Sequence, residues 1–76
     1  MRGRGRDSGM DNIVVNGAAR ELTPGTTLAD LLRQLQLDPR WVVAELNGEP
    51  LARDRYGAVM LSPGDRLELV RPVAGG

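Results

Sequence analysis

Residues 11–39, DNIVVNGAARELTPGTTLADLLRQLQLDP, decide the fold. Residues 11–15 supply a run of strand formers. Asn16-Gly17 follows, a pair that tolerates positive φ at both positions and so favours a two-residue hairpin, and residues 18–22 read as the returning strand. Thr23-Pro24-Gly25 turns the chain. Thr27 then offers a hydroxyl to an early helical N–H, and Asp30 places a negative charge at the positive end of the helix. Leu28, Leu31, Leu32 and Leu35 recur at i, i+3, i+4 and i+7, which predicts a helix burying one apolar stripe. Asp38-Pro39 is expected to end it, because the residue before proline is pushed out of the helical region.

Beyond this unit, residues 41–46 are rich in strand formers and stop at a second turn signal, Asn47-Gly48. Residues 50–57 read as irregular, 59–61 as a short strand and 62–65 as a tight turn. Residues 66–71 alternate, with Leu67 and Leu69 on one side and Glu68 and Val70 on the other, which predicts a final strand. One helix is therefore available to cover one face of a mixed sheet, an α+β class with two layers. Under that helix, Ile13, Val15, Ala44, Leu46, Leu67 and Leu69 are expected inside; alternation then puts Val14, Val43 and Val70 on the opposite face, a candidate docking surface.

Composition narrows the chemistry. With 76 residues there is room for one small core, and 41% apolar with 26% charged residues is ordinary for a globular domain. The chain has no Cys, His, Lys or Phe, and ten Arg balance ten Asp plus Glu. Without imidazole, thiolate or a lysine amine there is no ordinary transition-metal site, no group poised near neutral pH, and no thiol, Schiff-base or Ser-His nucleophile. Tyr56 alone is a poor general base, and carboxylate pairs such as Glu45 with Glu49 need a cleft that so small a domain rarely has. No autonomous enzyme is expected. The first nine residues, with three Arg and one Asp, read as a disordered extension; the remaining 67 are mildly acidic, which argues against nucleic-acid binding by the domain. No apolar run is long enough for a membrane span or a secretory signal, and a cytoplasmic location is expected.

The order of elements resembles the β-grasp fold of ubiquitin and of the bacterial sulfur carriers. The resemblance sharpens at Val15-Asn16-Gly17, at Gly25-Thr26-Thr27-Leu28 leading to Leu31-Leu32, and at Glu45-Leu46-Asn47-Gly48-Glu49. It continues through Arg53 three residues before Tyr56, Gly64-Asp65 and the terminal Gly75-Gly76. Together these stretches are similar to the ThiS family of thiamin-biosynthesis sulfur carriers. The resemblance implies a carrier domain over residues 10–76 that binds no cofactor itself. Its Gly76 carboxylate would be adenylated by a ThiF-type adenylyltransferase that consumes ATP. A sulfur donor such as a cysteine desulfurase system would convert the adenylate to a thiocarboxylate, and a thiazole synthase of the ThiG type would receive the sulfur. Residues 72–76, PVAGG, are also similar to the tail of the molybdopterin carrier MoaD, the alternative within this group. A ubiquitin-like protein modifier and a non-covalent β-grasp interaction module are the other two.

The residues of the tail suit such chemistry. A terminal carboxyl, with a pKa of about 3.3–3.7, is a carboxylate at neutral pH, able to attack a phosphate yet inert as an acyl donor until activated. Ala74, Gly75 and Gly76 form the segment expected to thread into a partner's active site, where the two glycines bring no Cβ to block the slot.

Overall fold

The computed structural model describes residues 11–72. The expected extension over residues 1–9 and the tail residues Ala74, Gly75 and Gly76 lie outside the described residues.

The chain opens on strands β1 (Asn12–Val15) and β2 (Ala18–Glu21), paired antiparallel with Val15 opposite Ala18. Asn16 (φ 51°) and Gly17 (φ 85°) both take positive φ, the two-residue turn whose twist matches that of the flanking strands. Helix α1 (Leu28–Gln34) starts from the reciprocal cap that Thr27 and Asp30 form. The Thr27 hydroxyl accepts the Asp30 N–H at 3.1 Å, and the Asp30 carboxylate accepts the Thr27 N–H at 3.1 Å. These contacts, the Thr27 backbone N–H first, then the Thr27 hydroxyl and the Arg33 guanidinium, hold the Asp30 carboxyl below its ordinary 3.8. A depressed folded-state value means that this stabilisation is complete above pH 3.8 and is lost as the pH falls through the lower, folded-state value. Thr27→Ala is expected to cost about 1 kcal/mol in urea unfolding at pH 7. It should also flatten the acid limb of the stability profile; a profile that keeps its wild-type slope below pH 4 would exclude the cap as its source.

The helix does not run on to Asp38-Pro39. Gln36 adopts a left-handed conformation (φ 61°), and the N–H groups of Gln36 and Leu37 donate back to the carbonyls of Arg33 (3.0 Å) and Leu32 (2.8 Å). This pattern ends a helix with a residue that is usually glycine. The closing apolar residue, Leu37, packs partly buried on the core. Asp38-Pro39 instead opens a 3₁₀ turn over Pro39–Trp41, with the Asp38 carboxylate accepting the Arg40 N–H at 2.9 Å. Trp41 therefore sits in a turn rather than a strand, 63% exposed.

Strand β3 (Val43–Leu46) turns at Asn47-Gly48 and pairs antiparallel with the two-residue β4 (Glu49–Pro50), whose Pro50 the sequence assigned to irregular chain. Pro50 is tolerated because β4 is the sheet edge, where a missing N–H faces no further strand. Conversely, residues 59–61 form no strand: Met60 makes one isolated bridge to Thr27, and the Leu28 N–H donates to Val59 O at 3.0 Å. The last strand, β5 (Arg66–Val70), completes the order β2-β1-β5-β3-β4, parallel to β1 and antiparallel to β3. The helix stripe Leu28, Leu31 and Leu32 and the strand residues Ile13, Val15, Ala44, Leu67 and Leu69 are buried together. Leu46 is partly buried against them. The result is one helix on one face of a mixed five-stranded sheet, the arrangement that the β-grasp resemblance implies.

Candidate functional site

The site expected from the sequence is Gly76 with the tail before it and the outer face of Val14, Val43 and Val70; among the described residues, three devices fix the strand from which that tail departs. β5 is central, so backbone pairing holds it on both sides. Two asparagine side chains extend that pairing. Asn16, held by its own turn at the end of β1, accepts the Leu69 N–H at 2.8 Å through Oδ1 and donates from Nδ2 to Leu69 O at 3.2 Å. At the other end, Asn47 Oδ1 accepts the Arg66 N–H at 2.9 Å while its Nδ2 donates to the Asp65 carboxylate at 3.0 Å. In the sequence both asparagines read structurally as turn formers alone, beside their place in the family resemblance. Their amides, carrying a donor and an acceptor side by side, also substitute for strand backbone.

Tyr56 supplies the third device. Only 3% exposed, it donates its hydroxyl proton to Val42 O at 2.8 Å and accepts the Ala44 N–H at 3.1 Å. Those two groups flank Val43 on the side where β4 has already ended. The phenol thus closes the β3 edge in place of a strand, a structural task for the residue that composition marked as a poor general base.

On the outer face, register sorts the three valines. Val43 (43% exposed) and Val70 (57% exposed) are direct cross-strand partners beside the start of the tail. Val14, half-buried, lies opposite Arg66 and Ala19. Since Val70 is four residues beyond Arg66 on β5, Val14 sits about 13 Å further down the strand. The strands are neighbours as expected, yet the valines form a pair and a remote single. Trp41 is two residues before Val43. Arg40 stacks over its ring at 5.9 Å from the centroid and pairs with Asp38 at 2.9 Å. Both partners of that ion pair are exposed, and each holds the other's charge: the Arg40 side chain, then its backbone N–H, lowers the Asp38 carboxyl, while Asp38 raises Arg40.

Inside the same end of the molecule, an apolar groove of about 410 Å³ opens between Leu35 and Leu37 behind the helix and Val15 and Leu69 of the sheet, with Val42 just before β3 and with Asn16 and Arg71 at its rim. No cluster of His, Cys, Asp or Glu able to hold a metal occurs among the described residues, and no helix there is long and apolar enough to cross a membrane. Glu45 and Glu49, the carboxylates weighed for hydrolysis, are both exposed on strands rather than set in a cleft.

Comparison with known proteins places this geometry. The profile of the ThiS family matches residues 13–76, through the last glycine. A sulfur carrier protein ThiS from Bacillus subtilis is 40% identical over 50 residues, covering 66% of this chain and 76% of the relative. Thiazole synthases from Paramagnetospirillum magneticum and Magnetococcus marinus are 36% and 39% identical over 64 residues, and this chain spans a fifth of their length. Among solved structures, the crystal structure of a thiamine biosynthesis protein (ThiS) from Geobacter metallireducens superposes with a TM-score of 0.69 at 32% identity. The match covers 86% of this chain and 99% of that one.

Proposed function

The chain belongs to the ThiS family, and from that membership we propose that it carries sulfur for the thiazole of thiamin on its C-terminal Gly76. The observation that carries this reading is the extent of the family match, which runs unbroken from Ile13 on β1 to Gly76. The Gly76 carboxylate attacks the α-phosphate of ATP in a ThiF-type adenylyltransferase, releasing pyrophosphate. A sulfide equivalent from a donor such as a cysteine desulfurase system then displaces AMP, leaving a thiocarboxylate. A thiazole synthase of the ThiG type takes the sulfur, a pairing supported by the thiazole synthases that contain a segment similar to this chain. In this scheme the protein is a co-substrate, and ATP belongs to its partner.

The fold serves the proposal by holding the root of the tail still. β5 is fixed up to Leu69 by Asn16, so the partner meets a defined departure point for the tail. The exposed Val43–Val70 pair beside that point, with Trp41 next to it, is the candidate docking face. Val14, down the strand, is at most its margin.

Incubation with ATP, the cognate ThiF-type enzyme and a sulfur donor, followed by intact-mass analysis, tests the reading directly. Replacement of one terminal oxygen by sulfur is the expected result, and an unchanged mass with an active cognate enzyme refutes it. For the docking face, the double variant V43S/V70S is expected to bind that enzyme at least ~30-fold more weakly, as for loss of about 2 kcal/mol at an interface anchor. Both residues are exposed, so its unfolding midpoint should stay close to wild type; equal binding in calorimetry removes the valines from the interface.

A further inference from the structure

Next to the valine pair the same sheet face carries an arrangement that the free protein gains nothing from. Glu45 on β3 and Glu68 on β5 are direct cross-strand partners, which puts their Cβ atoms roughly 5 Å apart on one face, a like-charge juxtaposition that destabilises a sheet. Both are exposed, and neither takes part in an ion pair among the described residues, where the pairs are Arg33–Asp30 and Arg40–Asp38. Arg66, the next residue of β5 on that face, makes no ion pair with them; it lies toward Val14, away from the tail. Going from the tail inward, the face therefore reads Val43 with Val70, then Glu45 with Glu68, with Pro50 beside Glu45. No described element covers it, since the helix lies on the other side of the sheet.

We infer that the Glu45–Glu68 pair receives an arginine or lysine side chain of the ThiF-type enzyme, seated beside an apolar residue that covers Val43 and Val70. This rests on the carrier reading above and names the chemistry of the partner surface. The argument is charge complementarity across an apolar face. A guanidinium or ammonium between the two carboxylates exchanges their repulsion for two charge-assisted hydrogen bonds, and the apolar neighbours exclude water from that contact.

The test is the full-length variant E45Q/E68Q against the charge-matched control E49Q/D54N, whose residues lie outside this face. Each is titrated with the cognate ThiF-type adenylyltransferase at several salt concentrations. The face variant is expected to bind about tenfold more weakly at low salt and to lose most of the wild-type salt dependence. Alone in solution it should be no less stable than wild type, because the repulsion is gone. The control should bind as wild type does. Unchanged affinity and salt slope in E45Q/E68Q overturn the inference while thiocarboxylate formation continues to support the carrier reading. Binding that weakens as expected, with no thiocarboxylate formed even by wild type, supports the docking chemistry and sinks the carrier reading. Absence of any wild-type binding overturns both.

Discussion

Deletion of Gly76 is expected to take thiocarboxylate formation from complete to undetectable while leaving the unfolding midpoint and the affinity for the adenylyltransferase close to wild type. The shortened chain still ends in a glycine carboxylate, so the chemical group survives and only its position changes. One residue of extended chain is ~3.5 Å. Misplacement by about 1 Å can cost 100-fold when a reacting atom must meet an aligned partner. β5 cannot compensate, because it is clamped by Asn16 at Leu69 and has no freedom to slide forward. Intact-mass analysis after a long incubation reads the result. Sulfur appearing on Gly75 at a comparable rate would show that reach is not limiting and would move the reactive position. Retained binding without sulfur transfer separates a carrier from a docking module, whose partner would be indifferent to the deletion in every assay.

The second large effect concerns Tyr56. Tyr56→Phe keeps the ring and removes the hydroxyl that satisfies Val42 O and the Ala44 N–H. Burial of those two backbone groups without partners is expected to cost about 2 kcal/mol, and Tyr56→Ala, which also empties the space of the ring, about 3–5 kcal/mol. A domain of this length has about 4–11 kcal/mol in total, so the alanine variant should lose a large fraction of its stability and unfold at a markedly lower temperature. Urea unfolding measures both. Native-state hydrogen exchange adds a local readout: the Ala44 amide should lose more protection in the phenylalanine variant than the Ile13 amide does. A phenylalanine variant within 0.5 kcal/mol of wild type would mean that water replaces the hydroxyl at the β3 edge.

Much of the fold was legible because its punctuation acts locally. Asn16-Gly17 and Asn47-Gly48 each need only their own φ values to reverse the chain, Thr27 caps a helix within three residues, and Leu67 and Leu69 alternate within one strand. The features that escaped depend on distant partners. Gln36 ends the helix in a conformation that side chains rarely adopt, held by carbonyls of the preceding turn and by burial of Leu37, so Pro39 was credited with a stop made earlier. β4 was missed because Pro50 argues against a strand until the topology shows that it lies at an edge. Tyr56 gave no sign that its hydroxyl serves a strand 12 and 14 residues earlier. For the candidate site, alternation sorted faces correctly, whereas the separation of Val14 from the Val43–Val70 pair depended on the parallel register of β1 and β5. The residues that would carry the sulfur, Gly76 with Gly75 and Ala74 before it, lie outside the described residues.

The bond between Asn16 and Leu69 spans 53 residues, and β5, which it secures, is the middle strand of the sheet. During synthesis that strand leaves the ribosome last of the described elements. Until it does, the two hairpins have no neighbour between them, and the core under the helix lacks Leu67 and Leu69. The nascent chain therefore has no partly folded form with a finished docking face. Closing the centre of the sheet and forming that face are one event, and contacts this remote in sequence make it the slow step of folding. A partner that docks on this face, as proposed above, would therefore meet it only in the completed sheet.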